Sequence, residues 1–277
     1  SRFTGECDET CPYPGEYPAL KTSRIRGSFD LRRQVYGRMP NLVFVTPSRW
    51  LAGKAARGIL SGHPVSVIPN GIDMTVFFPE DKGKAREILG LPQGRHILLA
   101  GAAHLKDKRK GMNFLVDSLR SLPSGGDYLL VTFGRTVGDS AVQGAAVEVR
   151  EMGSISEEGR QRLMYSAADA FVLPTLADNL PNVLVESIAC GTPCVAFDVG
   201  GVSEVVRPGE TGFLARPKDP GDLAGKILEL ASLPPGRSAA LAASCRSLAE
   251  REFSQELQAE RYDKLFADLL ASAARSS

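Results

Sequence analysis

The fold is decided by residues 175–193, which read TLADNLPNVLVESIACGTP. They follow a fully apolar run at residues 170–174, which predicts a central strand of a sheet. Pro181 suits the first turn of a helix, and Gly191 marks the end of that helix. The stretch is therefore predicted to connect a buried strand to a helix, and α/β proteins bind phosphates at such junctions.

Two carboxylates lie across this junction, Asp178 in the predicted loop and Glu186 in the predicted helix. Backbone N–H groups near Asn182 and Val183 would face an anion bound at the helix start. Glu186 lies more than a turn inside the helix, too deep for a cap, and its carboxylate suits paired hydroxyls such as those of a ribose. The alternative is that Asp178 caps the loop and Glu186 is an exposed helix residue.

The basic tripeptide Lys108-Arg109-Lys110 is a second signal of anion binding. It follows the predicted strand at residues 97–102 and precedes Gly111, where the next helix is predicted to begin. Cations beside the positive end of a helix would neutralise a diphosphate. The alternative is an ordinary solvated face of that helix.

The segment from Asp178 to Glu186, followed by Ser-Ile-Ala-Cys-Gly-Thr-Pro, resembles the glutamate, seven residues, glutamate signature of retaining family-four glycosyltransferases with the GT-B fold. Aspartate replaces the usual first glutamate, and Asn-Leu-Pro replaces the Gly-Phe-Gly that follows it in the family. The resemblance implies that Asp178 meets the donor sugar and that Glu186 holds the ribose. It implies four further donor-binding residues: Asn179, Leu180, Asn182 and Val183.

The basic segment also resembles that family. Lys110 and Gly111 match the family's phosphate-contacting Lys-Gly pair. Ala102 stands where the family has an arginine after the strand-ending glycine, so Arg109 is the expected replacement. Lys110 and Arg109, with the helix N–H groups, are expected to stabilise the departing diphosphate without a metal ion.

Residues 147–157 resemble the family segment that borders the nucleobase. Gly153, Ile155 and Glu157 are the expected contacts, with the backbone of Ile155 reading a base edge and Glu157 at its polar rim. The alternative is that Ser156 caps the following helix and Glu157 favours the positive end of that helix. Neither interpretation distinguishes uridine from guanosine.

Composition excludes several classes of function. The net charge of +1 and the aromatic fraction of 7% over 277 residues argue against nucleic acid as a partner. No apolar run reaches the length of a membrane span, and the N-terminus lacks a signal-peptide core. We expect a cytoplasmic protein, or one peripheral at the inner face of the membrane. Arginines clustered in residues 24–38 favour either a solvated helix face or contact with an acidic acceptor or lipid surface.

Neither the cysteines nor the histidines predict a metal site. The three histidines have no metal-ligand spacing. The five cysteines form an odd set, which argues against a secreted disulfide framework. Cys190 and Cys194 are predicted to be small core residues, whereas Cys7 and Cys11 are expected to be free thiols in a loop.

Apolar strands and amphipathic helices alternate after residue 70, which predicts an α/β fold with a Rossmann-like, doubly wound parallel sheet. The predicted strands are residues 41–46, 65–68, 97–102, 128–134, 147–152, 170–174, 193–198 and 211–215. The predicted helices are one before residue 40 and residues 48–58, 111–122, 156–168, 181–190, 202–207, 220–232, 237–251 and 254–273.

The resemblance divides the chain into three parts. Residues 70–253 are expected to be the nucleotide-sugar donor domain, and residues 1–69 a remnant of the N-terminal, acceptor-side domain. Because the sequence begins at Ser1, we expect that half to be largely missing. Residues 254–277 are the expected C-terminal crossing helix, whose apolar face would pack on the missing half or on a partner chain.

The expected function is that of a retaining hexosyltransferase in polysaccharide biosynthesis. It would use a UDP- or GDP-sugar and a glycan or lipid-linked acceptor, and require no metal. The alternatives are a non-catalytic nucleotide-binding or assembly module and a nucleotide-sugar epimerase with the same fold. A dehydrogenase is disfavoured because no Gly-x-Gly-x-x-Gly follows an early strand.

Overall fold

The computed structural model describes residues 24–123, 127–136 and 138–276. The chain forms two compact units, residues 1–68 and residues 69–277. The predicted thiols Cys7 and Cys11 lie outside the described residues, as does the rest of residues 1–23.

The described part of the first unit, residues 24–68, contains two helices and two strands: α1 Ile25–Gly37, β1 Phe44–Thr46, α2 Arg49–Ala55 and β2 Val65–Val67. The two strands pair in parallel. Ser48 caps α2 because its hydroxyl accepts the Leu51 N–H at 3.0 Å, so this helix begins where the sequence predicted. The first strand is shorter than predicted and starts at Phe44.

The second unit is built on a six-stranded parallel sheet, which confirms the predicted Rossmann-like class. Its strands are β3 His96–His104, β4 Tyr128–Arg135, β5 Glu148–Glu151, β6 Ala170–Leu173, β7 Cys194–Phe197 and β8 Gly212–Ala215. The strand order is β5-β4-β3-β6-β7-β8. The chain therefore proceeds outward from β3 to β5 and returns to the other side of β3 at β6, which makes the β3–β6 pair the topological switch point.

Helices cover both faces of this sheet: α3 Lys82–Leu89, α4 Met112–Leu119, α5 Glu158–Ala167, α6 Asn182–Ala189, α7 Pro220–Ala231 and α8 Pro235–Glu252. The last helix of the chain is α9 Gln255–Ser276. One apolar core includes Tyr165 of α5 and Leu184 of α6, and the other includes Leu115 of α4 and Ile227 of α7. Because both faces are covered, every residue of β6 is buried, as its continuous apolar sequence predicted.

Helix α3 was not predicted, because the residue that anchors it is charged. The Arg86 side chain is only 5% exposed and its guanidinium donates to the carbonyl oxygens of Ala167 at 2.9 Å and Gln93 at 2.8 Å. It also donates to Oδ2 of Asp169 at 2.7 Å. A buried arginine of this kind depends on distant partners, which hydrophobic periodicity does not reveal.

The helix predicted at residues 202–207 is wrong. Only a short 3₁₀ turn, Val202–Glu204, forms there. Val202, Val205 and Val206 are all fully buried, so the chain fills the core without a full helical turn. Pro208 then disfavours helical geometry in the residue before it.

The last helix, α9, has no fully buried residue among its described side chains, and Phe266 and Leu270 are exposed. Ser254 starts it as predicted, with its hydroxyl accepting the Leu257 N–H at 3.2 Å. Within the described ranges, no helix is both long enough and apolar enough to cross a lipid bilayer.

We predict that Arg86→Met lowers the free energy of unfolding by about 3 kcal/mol, because it removes the buried cation from Asp169 and leaves two carbonyl groups without their donor. Urea unfolding followed by circular dichroism measures the loss. Lys82→Met is the matched control, because Lys82 pairs with the same carboxylate but its side chain is 48% exposed. Its loss should stay below about 1 kcal/mol. Equal losses in the two variants would contradict the anchoring role of Arg86.

Candidate functional site

The predicted site residues follow strands β3, β5 and β6 at the carboxyl edge of the sheet. Strands β3 and β6 are neighbours, so the segments that leave them, residues 105–111 and 174–181, begin side by side. Segments that diverge at a topological switch point open a crevice above the sheet, where α/β proteins bind ligands.

Lys110 and Asp178 meet at this switch point. The ammonium nitrogen of Lys110 lies 2.7 Å from Oδ2 of Asp178, and the two side chains are 26% and 20% exposed. Beneath them the buried Thr175 hydroxyl lies 3.1 Å from the Arg109 carbonyl oxygen and 3.4 Å from the same Asp178 oxygen. The Leu176 N–H also donates to that carbonyl at 2.7 Å. The basic turn and the acidic loop are therefore joined through backbone as well as by charge.

Two glycines allow the backbones to approach this closely. Gly111 has φ +65°, and a Cβ atom there would lie 2.0 Å from the Pro174 carbonyl oxygen. Gly200 has φ +61°, and its Cβ would lie 1.8 Å from the Asp178 carbonyl oxygen. Any side chain would push these segments apart, so Gly200 has the structural role of holding the acidic loop.

The basic tripeptide precedes the helix that follows it, and the sequence predicted that helix to begin at Gly111. Lys108–Lys110 forms a separate 3₁₀ turn, and α4 begins at Met112, after Gly111. The Arg109 guanidinium contacts Asp107, with Nη2 at 2.6 Å from Oδ2. This hydrogen bond lowers the pKa of Asp107 below its usual value. Arg109 is thus oriented toward a neighbouring carboxylate, whereas Lys110 faces Asp178.

Glu186 lines a separate cleft of about 460 Å³ together with Ile155 and Val183. Its Oε2 accepts a hydrogen bond from the Tyr165 hydroxyl at 2.7 Å. Burial raises the pKa of Glu186, and the negative charge of Glu158 adds to this, while the Tyr165 hydrogen bond opposes it. Glu186 is consequently a half-buried carboxylate that faces a cavity.

The start of α6 is close to the predicted arrangement. The helix begins at Asn182, and Pro181 precedes it without providing a side-chain cap. The first N–H groups of a helix have no acceptor within it, so those of Asn182 and Val183 suit an anion. The Asn182 side chain accepts a hydrogen bond from the Asn70 amide at 3.1 Å.

Two other predicted donor residues lie in the loop before α6. Leu180 is buried in the apolar core, which leaves only its backbone to meet a ligand. Asn179 donates its N–H to Oδ1 of Asp178 at 3.2 Å, which helps to orient that carboxylate.

Residues of the segment predicted to border the nucleobase line two different hollows. Ile155 lines the Glu186 cleft, and its carbonyl oxygen accepts a hydrogen bond from the Gln161 amide at 2.8 Å. Gly153 lines a neighbouring hollow of about 300 Å³. Glu157 is exposed at the N-cap of α5 and makes no side-chain cap, so the alternative expectation that Ser156 caps this helix is wrong.

The structure thus brings the predicted residues together in two groups. Lys110, Asp178 and Arg109 form the first group, and Glu186, Ile155 and Val183 form the second. The described lining of the 460 Å³ cleft includes no member of the first group. The two groups are linked through the segment that runs from Asp178 into α6.

Four residues of this region were not predicted from sequence. Tyr165 and Thr175 are buried donors to Glu186 and to the Asp178 loop, and His104 and Arg135 line the Glu186 cleft. His104 lies beyond the strand predicted at residues 97–102 but is the last residue of β3. The positions of His104 and Arg135 could have indicated them, because each ends a strand at the carboxyl edge of the sheet. Across the described ranges, no group of three or more metal-ligating side chains is present.

Comparison with known proteins places the chain among glycosyltransferases. A family model described as "Glycosyl transferases group 1" matches residues 94–232. The chain is 30% identical over 183 residues to a D-inositol 3-phosphate glycosyltransferase of Paenarthrobacter aurescens, covering 60% of this chain and 43% of that protein. It is 30% identical over 238 residues to the protein of the same name from Nocardiopsis dassonvillei, covering 78% and 52%. The chain spans about half the length of these curated relatives.

Solved structures share the fold. Sucrose-phosphate synthase from Thermosynechococcus elongatus superposes with a TM-score of 0.75 at 25% identity, over 88% of this chain and 62% of that one. Anabaena HepE, solved in complex with UDP and glucose, gives a TM-score of 0.70 at 22% identity, over 87% and 67%.

We predict that Gly200→Ala lowers the free energy of unfolding by about 1–3 kcal/mol, because alanine would be strained at this φ and would collide with the Asp178 carbonyl. Gly225→Ala in α7 is the control, because a Cβ there meets nothing within 4 Å. It should be neutral or stabilising by about 0.5–1 kcal/mol, as expected for a helix interior. Urea unfolding measures both, and a Gly200 variant as stable as the parent would refute the close approach.

Proposed function

This chain belongs to the glycosyl transferases group 1 family, and we propose that it binds the nucleotide-sugar donor in a retaining hexosyl transfer. The observation that carries the proposal is the Lys110–Asp178 ion pair at the topological switch point, beside the start of α6. A cation and free helix N–H groups favour a diphosphate, and the adjacent carboxylate favours sugar hydroxyls.

The ion pair suggests how the donor is accommodated. Lys110 and Asp178 neutralise each other across 2.7 Å. An incoming diphosphate would compete for the Lys110 ammonium, and the released Asp178 carboxylate would accept hydroxyl groups of the hexose. The exchange replaces one partly buried ion pair by two ligand contacts, so neither charge is left unpaired in the crevice.

Glu186 is the proposed ribose ligand. A carboxylate can accept both ribose hydroxyls, and Tyr165 occupies Oε2 from the protein side with a single hydrogen bond. The cleft that Glu186 lines also contains Ile155, whose N–H is the proposed reader of a base edge. A volume of about 460 Å³ falls in the range of ordinary small-molecule sites.

The proposed chemistry needs no nucleophile from the protein. The leaving diphosphate would accept the proton of the incoming acceptor hydroxyl, and the acceptor oxygen would bond to the anomeric carbon on the face that the diphosphate leaves, which retains the anomeric configuration. The breaking bond joins the anomeric carbon to the phosphate oxygen, and negative charge builds up on that oxygen. Lys110, Arg109 and the start of α6 are the proposed stabilisers of this charge, in place of a metal ion.

The acceptor is proposed to be a glycan or a lipid-linked sugar, and the donor a UDP- or GDP-hexose. The curated relatives are named for transfer to D-inositol 3-phosphate, and HepE was solved with UDP and glucose. A transfer assay should therefore include inositol 3-phosphate among the acceptors. If the chain binds the donor but neither transfers the sugar to an acceptor nor hydrolyses the donor, a non-catalytic module is favoured.

We predict that calorimetric titration with UDP- and GDP-hexoses gives saturable binding to at least one, and that Lys110→Met weakens it by about 10–100-fold, the value of a charge-assisted hydrogen bond. Lys108→Met is the matched control, because Lys108 is an exposed residue of the same turn. Its effect should stay below about 3-fold. Lack of saturable heat with every donor would refute the proposal.

The variant Asp178→Asn distinguishes the contribution of the sugar to donor affinity from that of the nucleotide. It releases Lys110 from its ion pair, so the affinity for UDP or GDP alone should be kept or increased. The affinity for the corresponding nucleotide sugar should fall relative to that of the nucleotide, because the sugar loses a charged acceptor. A parallel loss for nucleotide and nucleotide sugar would argue against contact between Asp178 and the hexose.

Because the pKa of Glu186 is raised, we predict that nucleotide affinity falls at acidic pH; this fall is the acid limb of the binding profile. As the pH falls through this pKa, the carboxylate is neutralised at a higher pH than an ordinary glutamate, and nucleotide affinity should drop by about 5-fold, the difference between charged and neutral acceptors. Glu186→Gln should remove this limb. Tyr165→Phe should move it to higher pH, because the hydroxyl lowers the pKa of Glu186. Affinity measured across acidic pH tests this, and an unchanged limb in Glu186→Gln would contradict it.

A further inference from the structure

An unusual apolar stripe lies on α1, in the first unit. Of the six large hydrophobic side chains exposed among the described residues, three lie within nine positions. They are Leu31, Val35 and Met39, which are 60%, 43% and 47% exposed. Leu31 and Val35 are one helical turn apart and so lie on one face, and Met39 follows just after the helix.

A different face of α1 supplies the contacts with its own unit. Ile25 is buried, and the Tyr36 ring packs edge-on against Phe44 of β1, with 5.4 Å between ring centroids. The folding of this unit therefore occupies the face that carries Ile25 and Tyr36. Leu31 and Val35 remain exposed without serving that packing.

Arginines flank the stripe. Arg24 and Arg38 lie seven positions before and after Leu31, which is about two helical turns, and so continue the same face at both helix ends. Arg32 lies beside the stripe and is exposed. Asp30 pairs with Arg26 at 3.8 Å and with Arg33 at 3.5 Å, and is the single acidic residue among residues 24–68.

The charge of the whole chain is distributed unevenly. Residues 24–68 contain eight basic residues and one acidic residue, a net charge of +7. Residues 69–277 contain 23 basic and 27 acidic residues, a net charge of −4, and residues 1–23 carry −2. The overall net charge of +1 therefore hides a strongly basic segment, and it is this segment that presents the apolar stripe.

We propose that this face of α1, defined by Arg24, Leu31, Arg32, Val35 and Arg38, docks on the surface of an anionic lipid bilayer. Leu31 and Val35 would enter the headgroup region, and the arginines would contact lipid phosphates. Exposed apolar residues flanked by basic ones are typical of helices that lie in a membrane interface. A purely electrostatic partner such as nucleic acid would leave the apolar stripe without a contact. The positive charge supplies the complementarity to anionic headgroups.

Sedimentation of the full chain with lipid vesicles tests the proposal. Binding is expected to vesicles made of equal parts phosphatidylcholine and phosphatidylglycerol, with little binding to phosphatidylcholine alone, and it should fall as salt is raised. Replacing Arg24, Arg32 and Arg38 by glutamine should lower the partition coefficient by about 100-fold, given about 1 kcal/mol for each arginine near the surface. Leu31→Ser with Val35→Ser should lower it by about 5-fold or more through lost apolar insertion.

A matched variant distinguishes the effect of the α1 face on vesicle binding from the effect of the total net charge. Arg120, Arg160 and Arg237 are exposed arginines of the second unit, and replacing them by glutamine changes the total charge by the same amount. This variant should keep its partition coefficient within about 3-fold of the parent. Circular dichroism and nucleotide titration of all variants confirm that fold and donor site are intact, so failure of this proposal is distinct from failure of the donor site.

Equal loss in the two triple-glutamine variants would overturn the proposal, as would equal binding to neutral and anionic vesicles. Absence of vesicle binding together with a dimer in light scattering, abolished by the Leu31 and Val35 substitutions, would assign the stripe to a second copy of the chain instead.

Discussion

Burial of β6 on both faces is the constraint on which the rest of the second unit depends. A four-residue strand with every side chain buried requires helices above and below the sheet, and a parallel sheet with crossover helices satisfies this. The chain must then leave the core at Pro174, beside the end of β3. The carbonyl of Pro174 faces Gly111, and the next loop faces Gly200, so the backbone of the acidic loop is confined between two glycines. The position of Asp178 follows from that confinement.

The Glu186 carboxylate occupies a position that does not favour folding. Burial raises the pKa of Glu186, which means that its ionised form is less favourable in the folded chain than in water. Tyr165 compensates in part, and its ring packs edge-on against those of Phe133 and Phe171. The buried Tyr165 hydroxyl donates its hydrogen bond to the Glu186 carboxylate. The fold therefore holds an ionisable group at a position where its charge lowers the stability of the folded chain.

Much of this arrangement could be predicted from the sequence, because β3, β4, β6 and β7 are continuous apolar runs and their helices carry apolar stripes. The meeting of Lys110 with Asp178 was also predictable, since both follow strands that end at one edge. Helix α3 was missed because its anchor, Arg86, is a charged residue with remote partners. Tyr165 and Thr175 were missed for a related reason, as their hydrogen bonds join residues with no fixed sequence spacing. The proposed base-contacting role of Glu157 stays a prediction.

The placement of Trp50 and the buried cysteines gives each unit its own spectroscopic or chemical reporter. Trp50 is the single tryptophan of the chain and lies in α2, so its fluorescence responds to events in the first unit. Cys190, Cys194 and Cys245 are buried in the second unit, and burial raises the pKa of each thiol, so they react with labelling reagents only after that unit opens. Emission, recorded together with labelling followed at Cys190, Cys194 and Cys245, would reveal whether the two units melt in one step or in succession.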